Sequence, residues 1–303
     1  MPDNAIEIRN LYKGYDRHDP VLKGLSMTVP KGSIYGFIGQ NGTGKSTTLN
    51  TLMGLLKADS GTVQMLGENS WGISAETKTH IAYVSEVSFH FSWLNVQQSL
   101  DYVAQFYPNW DREKAVELLS ALKIQTNKKV TSLSLGQTRA VSLIAALCCN
   151  PDLLILDEPA GNLDVVARRL FQQYILDFAQ QEGKTVLLSS HVLTDLERVV
   201  DRIGIIRDGK IIVEDELDTL KEQTRKIRLV YESTPPVNFD VPNLIQVETN
   251  KNEVRLIVSS LDEGLLPQYR CISGAKVEVR SMGLEDIFVA YSLAEVSPLK
   301  MRA

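Results

Sequence analysis

The spacing of hydrophobic residues changes along the chain and divides it into regions of different predicted structure. Between residues 5 and 38, apolar and polar positions alternate, as in Leu25–Val29, which predicts antiparallel strands. Residues 87 to about 150 have a mainly helical pattern, in which Asp111 is placed to cap a helix. From 151 to 213, strand and helix patterns alternate, which predicts that this region completes a sheet.

The pattern changes again near residue 220, where short alternating segments predict a small α+β unit. The predicted strands are residues 226–231, 244–249, 253–258 and 275–280, and the predicted helices are 260–269 and 284–293. We therefore expect two domains, residues 1–220 and 221–303.

A glycine-rich segment lies between a predicted strand at residues 33–38 and a predicted helix at 45–56. Its members are Gly39, Gln40, Asn41, Gly42, Thr43, Gly44, Lys45, Ser46 and Thr47. The spacing is that of a phosphate-binding loop, in which glycines let successive N–H groups surround anionic oxygens. Lys45 is expected to reach the β- and γ-phosphates, and Ser46 to give its hydroxyl to Mg²⁺. A glycine-rich turn before an ordinary helix is the structural alternative.

Two carboxylates follow a continuous apolar run at residues 153–156, which is typical of a strand covered on both faces. Ligands gather at the carboxyl ends of strands in open α/β sheets, so Asp157 is placed to hold Mg²⁺. Glu158, one residue on, points elsewhere and is the candidate for polarising the attacking water. The alternative is an exposed acidic turn after a strand.

A third segment, Leu133–Gln137, lies between these two along the chain. In this order the three segments resemble those of the nucleotide-binding subunits of ATP-binding cassette (ABC) transporters, and the resemblance covers about residues 5–220. It implies an α/β fold, the P-loop NTPase of ABC cassette type. That fold has a mixed sheet, an antiparallel β subdomain and a helical subdomain, here at about 87–150. A small C-terminal α+β appendage follows it.

The resemblance implies that the nucleotide is ATP and that a second copy of the chain shares it. Leu133–Gln137 resembles the family's Leu-Ser-Gly-Gly-Gln signature, with Leu135 in place of the first glycine. Through this segment, Ser134, Gly136 and Gln137 are expected to contact the γ-phosphate that the other copy binds. A hydroxyl, a close backbone approach and a helix N-terminus suit that role.

Three further residues have roles that the resemblance implies. Asp164, which ends a segment resembling the D-loop (161–164), is expected to link the two sites across the dimer. His191 resembles the switch histidine that senses the γ-phosphate, and we expect it to act in catalysis with Lys45 and Glu158. Tyr15 resembles the aromatic residue that stacks on adenine. Tyr12 is the competing candidate for that stacking.

One position departs from the family pattern. The family has a glutamine after a short strand, where it binds Mg²⁺ or the attacking water and reports to the membrane subunit. Here Glu86 stands at that place, after the apolar residues 81–84. A glutamate still offers an oxygen ligand to Mg²⁺ and adds negative charge beside the phosphates.

Composition limits the classes of partner. The net charge is −5 and the basic residues form no block, which argues against nucleic-acid partners. No apolar run approaches the roughly 18–20 residues needed to cross a bilayer, and the first residues do not resemble a signal peptide. The 3 cysteines form no metal or disulfide pattern. This cysteine content suits a reducing cytoplasm. Together with it, the resemblance implies a peripheral protein on the cytoplasmic face of the cell membrane.

The leading functional prediction is the ATP-hydrolysing, Mg²⁺-dependent subunit that energises an integral membrane transporter subunit of an exporter. The cargo, a drug, peptide or lipid, is handled by that partner without contact with this chain. The aromatic residues 89–94 either form a groove for the membrane subunit or pack as ordinary core. The alternatives are a soluble ABC ATPase that remodels or assembles complexes without transport, and a catalytically inert nucleotide-binding protein.

Overall fold

The computed structural model describes residues 3–16, 19–86, 91–159, 161, 163–232, 235, 241–261 and 276–294. Contacts within the chain divide it into two compact units, Met1–Glu214 and Asp215–Ala303. The domain boundary predicted at residue 220 falls shortly after this division, within the helix Leu217–Gln223.

The elements of the first unit follow the sequence patterns closely. Its strands are β1 (Asn4–Asp16), β2 (Asp19–Pro30), β3 (Ile34–Gly39), β4 (Ser60–Met65), β5 (Glu68–Asn69), β6 (Ile81–Val84), β7 (Leu153–Asp157), β8 (Thr185–Ser189), β9 (Arg202–Arg207) and β10 (Lys210–Glu216), the last of which runs across the division. Its helices are α1 (Lys45–Leu52), α2 (Ala75–Thr79), α3 (Val96–Ala104), α4 (Arg112–Ala121), α5 (Leu135–Cys148), α6 (Val165–Ala179) and α7 (Leu193–Leu196).

An antiparallel sheet has the strand order β2-β1-β4-β5. The central strand β1 pairs with β2 and β4, so that Ile8 lies opposite Met27 in one ladder and Val63 in the other. These three side chains are buried and form part of one hydrophobic core. The alternating pattern of residues 5–38 therefore predicted β1 and β2 correctly, because one face of this sheet is covered.

A second sheet has the order β10-β9-β3-β8-β7-β6, and its strands β6, β7, β8, β3 and β9 are parallel. Every residue of β3, β7 and β8 is buried. Both faces of this sheet are therefore covered. The strand β3 falls within the stretch predicted as antiparallel, but it belongs to this parallel sheet. Because parallel strands end at one edge, the segments that follow β3, β7 and β8 meet there.

Helix α1 is shorter than predicted, since it ends at Leu52 and not at Leu56. Two residues on, Gly54 has φ +68°, the left-handed conformation that commonly terminates a helix. A Cβ at Gly54 would also lie 2.7 Å from the carbonyl oxygen of Ser70. The apolar pattern continued past the helix end, but this glycine stops the helix.

The second unit contains an antiparallel sheet of the order β12-β13-β11-β14. Its elements are α8 (Leu217–Gln223), β11 (Arg225–Val230), β12 (Leu244–Asn250), β13 (Glu253–Val258), β14 (Lys276–Ser281) and α9 (Leu284–Leu293). Ile227, Leu229 and Leu256 form part of its core. The helix predicted at 260–269 lies outside the described residues, apart from its first two positions. Among the described helices, none is long and apolar enough to cross a membrane.

The predicted cap of helix α4 gives a test of the fold. Asp111 is the N-cap, and its carboxylate accepts a hydrogen bond of 2.9 Å from the backbone N–H of Lys114. Asp111→Ala should lower the free energy of unfolding by about 1 kcal/mol, measured by chemical denaturation. Asp111→Asn, which keeps an acceptor, should lose much less. Equal losses in the two variants would contradict the assignment of the cap.

Candidate nucleotide site

The loop between β3 and α1 is shaped by its glycines. Gly42 has φ +81° and Gly44 φ +107°, both in the left-handed region. At Gly44 a Cβ would also lie only 2.6 Å from Cδ2 of Leu22. Gly44 is the N-cap of α1 and makes no side-chain cap bond, so the first N–H groups of the helix have no capping side chain. This end of α1 is suited to an anion.

Lys45 is held against this loop by main-chain oxygens. Its side-chain Nζ donates hydrogen bonds to the carbonyl oxygens of Gly39, at 2.6 Å, and Gln40, at 3.1 Å. Burial lowers the pKa of Lys45, and the nearby carboxylates, Glu158 foremost, act in the opposite direction. A phosphate in the loop would accept hydrogen bonds from the same ammonium group.

The carboxylate of Asp157 is buried at the end of β7, and Ser189 at the end of β8 supports it. Ser189 Oγ donates a hydrogen bond of 2.5 Å to Asp157 Oδ1. Burial raises the pKa of Asp157, the Ser189 bond lowers it, and the charges of Glu86 and Glu158 raise it further. The ionised form of Asp157 is therefore costly in the protein alone, and a bound cation would stabilise it.

Glu158 adopts a strained backbone and contacts His191. Its φ is +50°, which is uncommon for a residue with a side chain. His191 Nδ1 lies 2.7 Å from Glu158 Oε2. The His191 side chain is 66% exposed and that of Glu158 only 13%, so the histidine forms the outer side of the pair. Main-chain strain of this kind is found at functional sites.

Most of the predicted site residues line one cavity of about 500 Å³. The lining consists of Tyr15, Val21, Asn41, Gly42, Gly44, Lys45, Ser46, Thr47, Glu86, Asp157, Glu158 and His191. This lining, drawn from the described residues, includes Tyr15 and not the competing Tyr12. The Tyr15 hydroxyl lies 3.3 Å from Thr47 Oγ1, and the tyrosine is 69% exposed, which leaves its ring accessible for stacking.

Seven predicted site residues are absent from that lining, although all of them are described. Gly39, Gln40 and Thr43 belong to the loop itself, where Thr43 Oγ1 donates to the Gln40 carbonyl oxygen at 2.8 Å. The other four are Ser134, Gly136, Gln137 and Asp164, and they lie at the starts of α5 and α6.

Capping bonds hold these two helix starts. Ser134 and Gln137 form a reciprocal capping box at the start of α5. The Asp164 carboxylate accepts from the N–H groups of Val166 and Ala167. Neighbouring Asn162 lies outside the described residues. Contacts of these residues with a nucleotide on a second copy stay a prediction.

The described residues contain no group of three or more His, Cys, Asp or Glu side chains that could hold a metal by themselves. Ser46, Glu86 and Asp157 nevertheless offer hard oxygen ligands along the same cavity. This set fits Mg²⁺, which takes few protein ligands and completes its coordination with phosphate oxygens and water.

Sequence reasoning missed Arg139. It is only 5% exposed, and its guanidinium donates to carbonyl oxygens beside the predicted catalytic residues, those of Ser85 at 2.5 Å and Glu158 at 2.6 Å. The sequence did contain a signal, because Arg139 is the only charged residue between Lys129 and Asp152. A lone charge on a helix buried among apolar side chains requires polar partners.

Comparison with known proteins places these features in a family. The family model described as "ABC transporter" matches residues 22–161. The ABC transporter ATP-binding protein YtrB of Bacillus subtilis is 30% identical over 94% of this chain and 97% of that protein. The bacitracin transport ATP-binding protein BcrA of Bacillus licheniformis is 35% identical over 67% of each chain.

Solved structures share the fold. An ATP-binding subunit of an ABC transporter superposes with a TM-score of 0.66 at 25% identity, covering 72% of this chain and 92% of that one. A dimeric ATP-binding cassette in a post-hydrolysis state, bound to ADP and Pi, has a TM-score of 0.62 at 24% identity, covering 70% and 98%. The α/β fold expected from the sequence is thereby confirmed.

The buried carboxylate of Asp157 is expected to make the free energy of unfolding depend on pH. A carboxyl whose pKa is raised on folding costs stability once it ionises, so the cost is absent below the ordinary value of 3.8 and grows as the pH rises through the raised pKa. Without nucleotide or metal, Asp157→Asn should therefore raise the free energy of unfolding at pH 8 by about 1 kcal/mol. Chemical denaturation at several pH values measures this difference.

The control is Asp177→Asn on α6, where the exposed Asp177 accepts a hydrogen bond from Gln173. This variant should differ from the unmodified chain by less than about 0.5 kcal/mol at every pH. A benefit of Asp157→Asn that did not shrink towards pH 4 would contradict the assigned cause.

Proposed function

The chain belongs to the family of ATP-binding subunits of ABC transporters, which hydrolyse ATP, and on this premise we propose that it drives an exporter whose membrane-spanning part is a separate protein. The observation that carries this proposal is the single cavity in which Lys45, Asp157, Glu158 and His191 converge. A chain with these groups intact has the means to hydrolyse the nucleotide and not merely to bind it.

Each group has one role in the proposed reaction. The loop N–H groups and Lys45 bind the phosphates of ATP. Ser46, Glu86 and Asp157 would hold Mg²⁺, which supplies charge stabilisation at the phosphates when it is bound. Glu158 accepts the proton of the attacking water and His191, 2.7 Å away, orients that carboxylate and contacts the γ-phosphate.

We propose that a second copy of the chain completes the site. Ser134, Gly136 and Gln137 lie at the start of α5, outside the cavity lining of their own chain. Leu135 beside them is 63% exposed, and Val165, which follows Asp164, is 66% exposed. Apolar side chains exposed next to predicted nucleotide contacts are suited to an interface between two copies. The dimeric form of the similar cassette supports this arrangement.

The membrane partner is proposed to contact the helical region. A cavity of about 420 Å³ lies among β6, α3 and α5, with Tyr83, Val103 and Phe106 in its lining. Beside it the rings of Phe91, Trp93, Tyr102 and Phe106 form a chain with centroid distances of 5.1–5.3 Å. Of the stretch predicted as groove or core, residues 89 and 90 lie outside the described residues.

These aromatic side chains support the groove and not the core interpretation. Trp93 is 68% exposed and Phe106 58%, although both are large and apolar. Exposed aromatic clusters of this kind favour a protein contact. Through such a contact the chain would lie at the cytoplasmic face of the membrane as a peripheral subunit.

The cargo is proposed to be a drug, peptide or lipid. One relative is named for bacitracin transport, and another, of Burkholderia lata, for Nod factor export. These names favour export over complex remodelling without transport. The cargo does not need to touch this chain, because the membrane partner handles it.

Two substitutions test the proposed catalytic roles. Lys45→Ala should weaken ATP binding about 10- to 100-fold, because it removes charge-assisted hydrogen bonds to phosphate. Glu158→Gln should keep ATP binding and lower kcat by about 100-fold or more, because the proton acceptor is lost. Phosphate release and fluorescent-nucleotide titration measure the two effects. Turnover that survives Glu158→Gln would refute the assignment of the base.

The transport role is tested with the same Glu158→Gln variant. The tagged chain is trapped with Mg-ATP and purified from solubilised membranes. We expect a multi-span membrane protein in equal amounts. Recovery of this chain alone, or with soluble proteins, would refute the exporter proposal and leave remodelling as the function.

Substitution of the aromatic rings then tests the proposed contact. Trp93→Ala combined with Phe106→Ala should weaken the association with that membrane protein at least 30-fold, by loss of buried aromatic contacts, while ATP binding is retained. Trp71→Ala is the matched control, since Trp71 is 52% exposed but lies after β5, in a different part of the unit. Equal effects of the two changes would rule out a contact at α3.

A further inference from the structure

The buried guanidinium of Arg139 joins helix α5 to both catalytic segments. Arg139 Nη1 donates to the carbonyl oxygen of Ser85, the residue before Glu86. Arg139 Nη2 donates to the carbonyl oxygen of Glu158 at 2.6 Å and lies 3.4 Å from that of Asp157. These acceptors belong to the chain segments that follow β6 and end β7, which are far from Arg139 in sequence.

The charge of Arg139 is retained despite its burial. Burial lowers the pKa of Arg139, while Asp157, Glu86 and Glu158 raise it. Arginine stays protonated in proteins, and its planar fork can donate to two segments at once. A lysine has a single donor atom and cannot span the same two carbonyl oxygens.

The contact acts on the strained residue of the site. Glu158 has φ +50°, and its N–H donates to the Ser189 carbonyl oxygen at 3.1 Å. Its own carbonyl oxygen accepts from Arg139 and from the N–H of Gly161 at 3.2 Å. The peptide groups on both sides of Glu158 are therefore held, and a strained conformation persists only where its surroundings fix it.

The position of Arg139 in its helix adds a second connection. Ser134 caps α5, and Arg139 lies just over one turn further along the same helix. A helix moves as a rigid element over so short a distance. The segment proposed to meet the nucleotide of a second copy is therefore linked, through one side chain, to the main chain of Glu158.

We propose that Arg139 is a positioning residue for ATP hydrolysis, which fixes the main chain beside Glu86 and at Glu158 and ties both to α5. The proposal rests on the proposed function, because it requires Glu158 to act on ATP. A displacement of α5 would then shift the carboxylates of Glu86 and Glu158. The rate of hydrolysis would therefore depend on the contact between the start of α5 and the second copy.

The test compares Arg139→Met and Arg139→Lys in the full-length chain. We expect kcat to fall about 100-fold in Arg139→Met, the loss typical of a misplacement near 1 Å. The dissociation constant for a fluorescent ATP analogue should change less than about threefold, since Lys45 and the loop are untouched. Arg139→Lys, which keeps the charge and the stem, should fold normally yet recover little of kcat.

A second measurement separates positioning from damage to α5. With Mg-ATP, Arg139→Met should accumulate a dimer on size exclusion, as we also expect of Glu158→Gln, because the start of α5 still contacts the second copy while hydrolysis is slow. Loss of the dimer would show that the helix itself is disturbed, and the proposal would be wrong.

Lys184→Met supplies the matched control. Lys184 is also a largely buried cation that joins two segments, with its side-chain Nζ 3.1 Å from the Asn150 carbonyl oxygen and 3.3 Å from Asp152 Oδ1. It lies at the opposite end of the parallel sheet, so its loss should lower stability and leave kcat within about twofold.

Besides loss of the dimer, three outcomes would overturn the inference. The first is a kcat of Arg139→Met within about threefold of the unmodified chain. The second is a parallel fall of kcat and nucleotide affinity, which would indicate a general role in the fold. Full recovery by Arg139→Lys would show that only the charge matters. An unmodified chain that binds ATP without hydrolysing it would instead refute the proposed function, and Arg139 would have no reaction to serve.

Discussion

The site depends on the confinement of negative charge at the carboxyl end of the parallel sheet. Glu86, Asp157 and Glu158 line one cavity, and Lys45 is the cation among the residues that line it. The fold offsets this negative charge in part through the hydroxyl of Ser189. The positive charge of Arg139, buried beside the ends of the same strands, offsets it further. Like charges held so close raise the free energy of the protein alone, and a cation bound with the nucleotide would relieve that cost. The arrangement therefore favours the loaded state over the empty one.

Much of the fold followed from the sequence, because its signals are local. The helix cap at Asp111 and the bounds of α9 were predicted as they are observed. The end of α1 at Leu52 was not predicted, because the apolar pattern favoured a longer helix and a single glycine ends it. The place of β3 in the parallel sheet was missed, because a short apolar strand does not reveal whether its neighbours are parallel.

The candidate site was also predicted only in part. The spacing of the loop predicted Lys45 and Ser46 as site residues, and the strand before Asp157 predicted the carboxylates. The structure brings them together around one cavity, and their roles stay predictions. The supports of these groups were not predicted: Ser189 is 32 residues from Asp157, and Arg139 is 54 residues from Ser85. Such contacts arise from the packing of distant segments. The lone charge of Arg139 on an apolar helix indicates that it needs polar partners, but no local pattern says which residues these are. Residues whose predicted ligand lies on a second copy, such as Ser134, depend on packing between chains.

The bonds of Lys45 to its own loop have a consequence for recognition. Since the carbonyl oxygens of Gly39 and Gln40 already accept from the ammonium group, the loop keeps its shape by internal bonding. The loop therefore has its binding shape before a triphosphate binds. On binding, phosphate oxygens replace carbonyl oxygens as the acceptors of the Lys45 ammonium group. Little chain entropy is lost in that exchange, so the affinity reflects the phosphates themselves and not the folding of a segment around them.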